Sequence, residues 1–202
     1  MLLLDNICNL YNNQQLSSKE VAKKLQISQW RVIHIMRKNN IPRRSASEAD
    51  SIVFSRKPLS YSKITELTKN EEKLHAAMLM LYWAEGAKSR YTLDFANSDS
   101  NMATIFLKGL RKIYRVNEKR LRIYLYCHTN QNINDLLNYW SILLEIPKSQ
   151  FIKPYVRKDF NKTKINKMSH GLVHIRYSDK KLLMHIKAEI DIMQESLNKL
   201  GW

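Results

Sequence analysis

Apolar residues recur at helical spacing near the start of the chain and predict three short helices there. The first lies around 3–11, the second follows two serines at 17–18, and the third runs over 29–39 after Ser28. A serine directly before an apolar helical run is a typical N-cap, because its hydroxyl accepts a free backbone N–H. The residues expected to face inward from the third helix are Val32, Ile35 and Met36.

A longer run of apolar residues predicts another helix, which begins near residue 71 and ends at Glu85 and Gly86. The run is hydrophobic on nearly every side, so we expect this helix to be buried on more than one side. A stripe with small residues at both ends, which would let another helix approach closely, consists of Ala77, Leu81 and Ala84.

Glu85 stands at the carboxyl end of this predicted helix, where free backbone carbonyls already carry partial negative charge. A carboxylate is unfavourable there unless a cation compensates it. Lys88 or Arg90 can supply that cation, and so can a divalent metal, because Mg²⁺ prefers carboxylate and carbonyl oxygens. Gly86 is typical of a left-handed helix cap. The pattern leaves both sources of compensation open.

Apolar and polar residues alternate in four later segments, and this period of two predicts β-strands. From 120 to 128 one face of the strand is apolar and the other is basic and aromatic, and the segments 90–95, 152–157 and 173–178 alternate as well. The cationic and aromatic residues on the outward faces are Arg90, Arg120, Arg122, Tyr124, Tyr126, Lys153, Tyr155, Arg157, His174 and Arg176.

Three further helices, predicted over 102–114, 134–144 and 179–200, separate or follow these strands. Glycine and proline number only four each, which favours long helices over a turn-rich all-β fold. We therefore predict an α+β domain of the order αβαβαββα, with an antiparallel sheet that helices cover on one face. Together with the first three helices this defines the fold class as α+β.

A segment rich in serine, proline and arginine separates the two patterns. We expect residues 1–44 to form an amino-terminal domain, 45–69 to be a linker and 70–202 to form the second domain.

The charge of the chain indicates what both domains bind. The chain has 202 residues, with 34 Lys and Arg against 18 Asp and Glu, so its formal net charge is +16. An excess of this size indicates a polyanionic partner. Residues 1–57 carry 10 basic and 4 acidic side chains, 58–100 carry 5 and 6, and 101–170 carry 14 and 4. We therefore expect the outward strand residues to contact the phosphates and base edges of duplex DNA; a merely solvated basic surface is the alternative.

Residues 2–44 resemble the helix-turn-helix family of DNA-binding modules, because a turn of three to four residues joins the second and third helices. The resemblance implies that the third helix enters the major groove, where Gln and Arg make two-point hydrogen bonds to base edges. Arg43 and Arg44 would then lie along the backbone or in a minor groove. The outward face that would contact DNA consists of Gln29, Trp30, Arg31, Ile33, His34 and Arg37. The alternative is a small helical domain with a solvated basic face.

The segment 78–86 resembles a degenerate form of the LAGLIDADG homing-endonuclease motif, with Glu85 at the final acidic position and Gly86 at the final glycine. The order of elements over about 70–200 also agrees with that family. The sequence departs from the motif at Met80, where a small residue is usual, and at Trp83, where an acid is common. The resemblance implies that two motif helices pack at a pseudo-twofold axis, and that the last acid of each binds Mg²⁺ beside the scissile phosphate. A single motif then implies a homodimer.

Charge and alternation favour a protein that binds double-stranded DNA, and the resemblance to the LAGLIDADG family implies a site-specific endonuclease with Glu85 as its catalytic and metal-binding residue. Lys88 and Lys153 remain open as residues that stabilise charge in the reaction. The alternative is a DNA-binding transcriptional regulator that keeps the fold without cleaving DNA, in which Glu85 is a paired structural acid. An RNA-binding protein that uses the aromatic sheet is a third hypothesis.

Several other classes of protein are not expected from this sequence. No run approaches the roughly 18 to 20 apolar residues of a membrane span, and the first residues lack the basic lead of a secretory signal. Cys8 and Cys127 lie far apart and form no CxxC pair, which excludes a disulfide framework and a four-thiolate zinc site. The motifs GxSxG, Walker A and GxGxxG do not occur, so we expect no organic cofactor. The expected location is the cytoplasm, in association with the nucleoid.

Overall fold

The computed structural model describes residues 2–88, 91–157 and 168–200. The chain divides into two compact units, Met1–Pro58 and Leu59–Trp202. The division falls within the segment 45–69 that the sequence predicts as a linker. Each unit has an apolar core of its own.

The first unit is helical, and the three predicted helices are present. Its helices are α1 (Leu2–Cys8, continued by a π-helical turn, Asn9–Asn13), α2 (Ser18–Leu25), α3 (Gln29–Lys38) and α4 (Ala46–Arg56). Serine hydroxyls at 17, 28 and 45 cap the last three helices by accepting the backbone N–H three residues later. The fully or nearly fully buried core consists of Ile7, Leu10, Tyr11, Val21, Ala22, Val32 and Met36.

Helix α4 lies in the segment expected to be a linker. It begins with a capping box in which Ser45 and Glu48 each accept the other's backbone N–H. Its far end is held by Arg56, which donates to the carbonyl of Gln14 at 2.8 Å and to Oε1 of Glu20 at 3.3 Å. No residue of α4 is fully buried. The apolar pattern did not predict this helix because caps and side-chain contacts hold it rather than a buried stripe.

The second unit alternates helices and strands in the predicted order. Its elements are α5 (Lys69–Glu85), β1 (Leu93–Asn97), α6 (Ser100–Lys112), β2 (Leu121–His128), α7 (Ile133–Leu144), β3 (Tyr155–Arg157), β4 (Leu172–Tyr177) and α8 (Lys180–Asn198). The chain is therefore an α+β protein. Among the helices that the structure describes, none combines the length and the apolar character needed to cross a membrane.

The four strands form one sheet in the order β1-β4-β2-β3. Strand β4 pairs antiparallel with both β1 and β2, whereas β3 pairs parallel with β2. The sheet is thus mixed, and the prediction of an antiparallel sheet is wrong at β3. The reason is the connection: α7 carries the chain back along the sheet between β2 and β3, and such a crossover returns the next strand in the same direction.

Helices pack on one face of this sheet and form the core with it. The inward strand residues are Leu93, Phe95, Leu121, Ile123, Leu125, Cys127, Val173, Ile175 and Tyr177. Trp140 of α7 is fully buried, and its Nε1 donates to the carbonyl of His170 at 2.7 Å. Helices α5 and α6 approach closely at Gly109, where a Cβ would lie 2.6 Å from Cγ of Met78.

Helix α5 is less buried than its composition predicts. Met78, Leu79 and Tyr82 are buried, but Met80 and Trp83 keep 43% and 42% of their surfaces exposed. The expectation of burial on more than one side is wrong for the single chain, because the elements that pack on α5 leave the side of Met80 and Trp83 uncovered.

The residue that ends α5 also differs from expectation. Gly86 has φ −71° and ψ 140°, so it is extended rather than left-handed. It forms a bridge with Phe95, and the next residue, Ala87, donates its N–H to the carbonyl of Asp94 at 2.8 Å. A Cβ at Gly86 would meet the carbonyl of Tyr82 and lie 2.6 Å from Cδ2 of its ring. Glycine is needed here for close approach and not for a positive φ.

Candidate nucleic-acid interface

The outward side of α3 is basic and aromatic. A three-residue turn, 26–28, joins α2 to α3, with Gln26 in the left-handed region at φ 55°. Trp30 is 72% exposed and stacks on His34, with ring centroids 5.0 Å apart. Arg31 and Arg37 are also exposed. The helix therefore presents two cations and a flat aromatic pair to its surroundings.

Two other residues assigned to this face are partly engaged within the unit. Gln29 donates from Nε2 to the hydroxyl of Ser18 at 3.0 Å, which ties it to α2. Ile33 is half-buried. The inward positions agree with the sequence: Val32 and Met36 are fully buried, and Ile35 packs against them.

Arg43 and Arg44 have different surroundings. Arg43 is exposed. The Arg44 guanidinium lies 4.0 Å from the ring centroid of Tyr11 and donates to the carbonyls of Tyr11, Gln15 and Leu16. Its backbone N–H donates to the Tyr11 hydroxyl at 2.9 Å. Arg44 therefore has a structural role, because its donors satisfy carbonyls that follow the first helical segment, and its assignment to a DNA-contacting arm stays a prediction.

In the second unit, the sheet face opposite the helices carries polar and aromatic side chains that are half-buried or exposed. We call it the open face; its residues are Asp94, Arg122, Tyr124, Tyr126, His128, Tyr155, Arg157, His174 and Arg176. The strand register sorts them into rows. Across β1, β4 and β2, one row is Asp94, Arg176 and Arg122. The next row is Ala96, His174 and Tyr124. Farther along the face lie Tyr126 and Tyr155 on β2 and β3.

Among the described residues of the open face Asp94 is the only acidic side chain, and it binds both His174 and Arg176. Oδ1 lies 2.9 Å from Nδ1 of His174, and Oδ2 accepts from Nε of Arg176 at 2.8 Å. Burial alone would raise the pKa of Asp94, but the His174 and Arg176 interactions outweigh it and lower this pKa below its ordinary value. The carboxyl is ionised at neutral pH, so Nδ1 of His174 carries the bridging proton.

Tyr124 completes this arrangement. Its ring lies 4.7 Å from the Arg176 guanidinium carbon and meets the His174 ring edge-on at 5.4 Å. The Asp94 and His174 side chains are only 15% and 19% exposed, whereas Arg176 is 34% exposed. The cluster is therefore well ordered and reaches the surface through Arg176.

Aromatic residues dominate the other end of the open face. Tyr126 and Tyr155 stack with centroids 5.0 Å apart, and Tyr126 also meets His128 edge-on at 6.3 Å. Tyr155 and Arg157 are exposed, as is Lys153 just before β3. Stacked rings beside cations suit contact with sugars and bases.

Two other basic residues predicted on strands, Arg120 and Arg122, donate to backbone carbonyls. Arg120 precedes β2 in a 3₁₀ turn and donates to the carbonyl of Ser178, so it is not on the strand. Arg122 donates from Nη1 to the carbonyls of Lys119 and Leu121, both at 2.7 Å. Arg90 lies outside the residues that the structure describes.

Glu85 is exposed at the end of α5, next to the edge of β1 that Gly86 and Ala87 pair with. In the described part of the chain its carboxylate has no hydrogen-bond or ion-pair partner. Lys88, a predicted partner, instead donates to the carbonyl of Trp83 at 3.3 Å and so compensates the helix end itself. No three His, Cys, Asp or Glu side chains among the described residues converge as metal ligands. If one chain alone bound a metal at this site, Glu85 would supply the carboxylate ligand.

The uncovered side of α5 is apolar beside Glu85. We call it the α5 outer face; it consists of Ala76, Met80, Trp83 and Ala84. These positions fall on one stripe of the helix, at spacings of three and four residues. The stripe predicted from sequence, with Leu81 at its centre, lies to one side of this face, because Leu81 packs partly against the core.

The sequence patterns missed the structural roles of two acids. Asp94 occurs at an outward position in the predicted first strand, so an acid amid basic outward residues was the available signal. Glu189 of α8 had no such signal, because its hydrogen-bond partners Lys63, His75 and Tyr114 come from distant segments and only His185 lies nearby on the same helix. The groups that contact the Glu189 carboxylate are Lys63, His75, Tyr114 and His185, and Tyr61 in turn hydrogen-bonds Nδ1 of His185.

Comparisons with other proteins do not add a relative. Scans against models of known families find no matching family, and searches of curated proteins and of solved structures find no match. The resemblances to helix-turn-helix modules and to the LAGLIDADG family therefore stay predictions, and the function is argued from the chain's own surfaces.

Proposed function

We propose that the protein binds double-stranded DNA through two surfaces, the outward side of α3 and the open face of the sheet. The observation that carries this proposal is the open face itself, where cations and tyrosines occupy one side of a sheet whose other side is the core. Phosphate contacts from Arg and Lys supply affinity, and side chains that reach base edges supply specificity.

The outward side of α3 supports the same partner. Arg31 and Arg37 are free to approach phosphates or guanine edges, and Trp30 with His34 offers apolar contact of the kind that thymine methyl groups accept. Trp30 is too exposed to be a core residue of its unit. A large aromatic on a basic helix surface indicates contact with a partner.

A homodimer is the form of the protein that the α5 outer face favours. Met80 and Trp83 lie exposed on one stripe with alanines on either side, so a second α5 can pack there at short distance. Packing of two copies on this face would cover the apolar surface and bring the ends of both α5 helices toward one axis.

We further propose, as the activity of this dimer, metal-dependent hydrolysis of a DNA phosphodiester. The exposed Glu85 carboxylate and the backbone carbonyls at the end of α5 are the hard oxygen donors that Mg²⁺ prefers, and Glu85 from each copy would hold it. The ion, when bound, supplies an activated water and neutralises phosphate charge. The open face orients the duplex, and the α5 outer face sets the spacing between the two carboxylates.

A non-cleaving DNA-binding regulator is the second candidate. It is favoured by the single acid at the end of α5 and by Trp83, which occupies the exposed turn beside it. In this case the α5 outer face mediates dimerisation, and the outward side of α3 and the open face keep the protein bound at its DNA site without cleavage.

Binding is tested by fluorescence anisotropy of a labelled, randomised duplex titrated with the full chain at several salt concentrations. We expect log K to fall linearly with log salt, with a slope of about −0.9 for each phosphate neutralised. A preference for single-stranded RNA over the duplex, or no binding to either polymer, contradicts the proposal.

Cleavage is tested separately with supercoiled plasmids from a randomised target library, in Mg²⁺ and in Mn²⁺. We expect Glu85→Gln to bind DNA as well as the wild type does and to lose nicking. Equal cleavage by both proteins excludes Glu85 as the catalytic residue. Binding without cleavage by either protein supports the regulator.

A further inference from the structure

The row of Asp94, Arg176 and Arg122 contains a feature that general basic charge does not explain. Arg122 and Arg176 are directly opposite each other on adjacent antiparallel strands. Like charges in this position destabilise a sheet pair, since their side chains start only about 5 Å apart. Asp94 sits at one end of the row and hydrogen-bonds only one of the two arginines.

Several side-chain nitrogens in and beside this row have no hydrogen-bond acceptor among the described residues, and their arrangement suits an anion. Arg176 uses Nε for Asp94, so its two terminal nitrogens remain for another acceptor. His174 uses Nδ1 for Asp94, and its Nε2 becomes a second donor when the ring is in the imidazolium form. Arg122 donates from Nη1 to two backbone carbonyls, and its Nε and Nη2 are available to another acceptor. An oxyanion placed over this row would accept several charge-assisted hydrogen bonds and relieve the repulsion between the arginines.

We infer that Asp94 is a positioning residue that holds His174 and Arg176 as a preorganised subsite for one phosphate of the bound nucleic acid. This inference rests on the proposed function and names a particular part of the open face. The carboxylate fixes the rotamers of both side chains before binding, so their entropy is not lost when the phosphate arrives. The ring of Tyr124 supports the Arg176 guanidinium from one side.

The inference can be tested because it predicts weaker DNA binding by Asp94→Asn, whereas simple electrostatics predicts tighter binding. Asp94→Asn removes one negative charge from a basic surface. If Asp94 only repels the backbone, the duplex binds about two- to threefold more tightly after this change. If Asp94 positions His174 and Arg176, the duplex binds about tenfold more weakly, since two hydrogen-bonded contacts to the phosphate lose their geometry.

The experiment measures Kd and its salt dependence for the full chain on one labelled duplex, with three variants beside the wild type. Arg176→Ala removes a proposed phosphate contact, and Asp191→Asn removes the same charge from the exposed side of α8. We expect Asp94→Asn and Arg176→Ala to weaken binding and to reduce the salt slope by about 1 each. Asp191→Asn should leave binding unchanged or slightly tighter.

Each result decides one point. Tighter binding by Asp94→Asn, with weaker binding by Arg176→Ala, overturns the positioning role and leaves DNA binding by the open face in place. No duplex binding by the wild type overturns the proposed function and this inference with it. Thermal unfolding of each variant separates lost contacts from lost fold.

A measurement on the wild type covers the case in which Asp94→Asn does not fold. Inorganic phosphate is titrated into the ¹⁵N-labelled full chain, and the ring nitrogens of His174 and Nε of Arg176 are followed by NMR. We expect both side chains to shift with one saturating curve. Shifts at neither side chain overturn the subsite.

Discussion

At the scale of single residues, Arg43 and Arg44 are adjacent in sequence but have different tasks. The structure leaves Arg43 exposed, whereas Arg44 donates to three carbonyls and packs on the Tyr11 ring. Arg43→Ala should reduce the salt slope of DNA binding by about 1 and leave stability unchanged. Arg44→Ala should destabilise the first unit by about 1 to 3 kcal/mol, since partly buried carbonyls lose a charged donor.

These two variants are controls for each other. Anisotropy at several salt concentrations gives the slope, and thermal unfolding gives the stability. If Arg44→Ala unfolds like the wild type and lowers the salt slope, Arg44 contacts DNA after all.

Glu189 predicts a pH dependence of stability in the second unit. Burial alone would raise its pKa, but interactions with His75, Lys63 and Tyr114 lower the pKa of Glu189 from 4.5 to about 2. A carboxyl whose pKa is lower in the folded state stabilises the fold above its unfolded pKa. This contribution is lost as pH falls from about 4.5 towards 2. Screening at a carboxylate that stays 16% exposed limits it to on the order of 1 to 2 kcal/mol.

The measurement is urea unfolding between pH 5 and pH 2, followed through tryptophan fluorescence, to which the completely buried Trp140 of the second unit contributes. We expect Glu189→Gln to be less stable than the wild type at pH 5 and to show a flatter loss of stability below it. Parallel pH curves for the two proteins would mean that Glu189 titrates normally.

At the scale of elements, α5 predicts how two copies associate. Trp83→Glu puts a charge on the α5 outer face and should shift the dimer toward monomer by at least tenfold in Kd, because a buried unpaired charge costs several kcal/mol. Sedimentation equilibrium measures this shift. Ile142→Glu on α7 is the matched control, because Ile142 is 79% exposed and lies on another helix. Equal effects of both variants, or a monomeric wild type, would contradict the dimer.

Some of the helices and strands could be predicted from the sequence and others could not. Period-two alternation located β2 and β4 to within a residue or two, and serine caps located α2 and α3, since those signals are local. The direction of β3 depends on the path of α7 across the sheet, which no local pattern records. Helix α4 lacked a buried stripe, and its contacts through Arg56 join residues 36 and 42 positions apart.

In the candidate site, too, local sequence patterns predicted which face a residue lies on but not its contacts with distant residues. Alternation placed Arg122, Tyr124, His174 and Arg176 on one face correctly. It did not reveal that Asp94 binds two of them, because the pairing of β1 with β4 joins residues about 80 positions apart. Nor did it distinguish Arg44 from Arg43, since the partners of Arg44 lie about 30 residues earlier.

At the scale of the whole molecule, the two separate cores predict two unfolding transitions. Each unit buries its own apolar cluster. Because unfolding enthalpy scales with the number of residues, the transition of the first unit should carry the smaller enthalpy. In differential scanning calorimetry of the full chain, Arg44→Ala should move only that transition and Glu189→Gln only the other. A single transition that both variants move equally would mean that the units unfold cooperatively.

The short pairing that follows α5 also affects how the protein behaves at high concentration. Strand β1 is an edge strand of the sheet, and the unpaired backbone groups of an edge strand normally allow another chain to pair with it. Here Gly86 and Ala87 occupy backbone groups of Asp94 and Phe95 on that side. Another chain could pair with β1 only after Gly86 and Ala87 had separated from it. The two residues that follow α5 therefore protect this edge of the sheet against fibril-like aggregation.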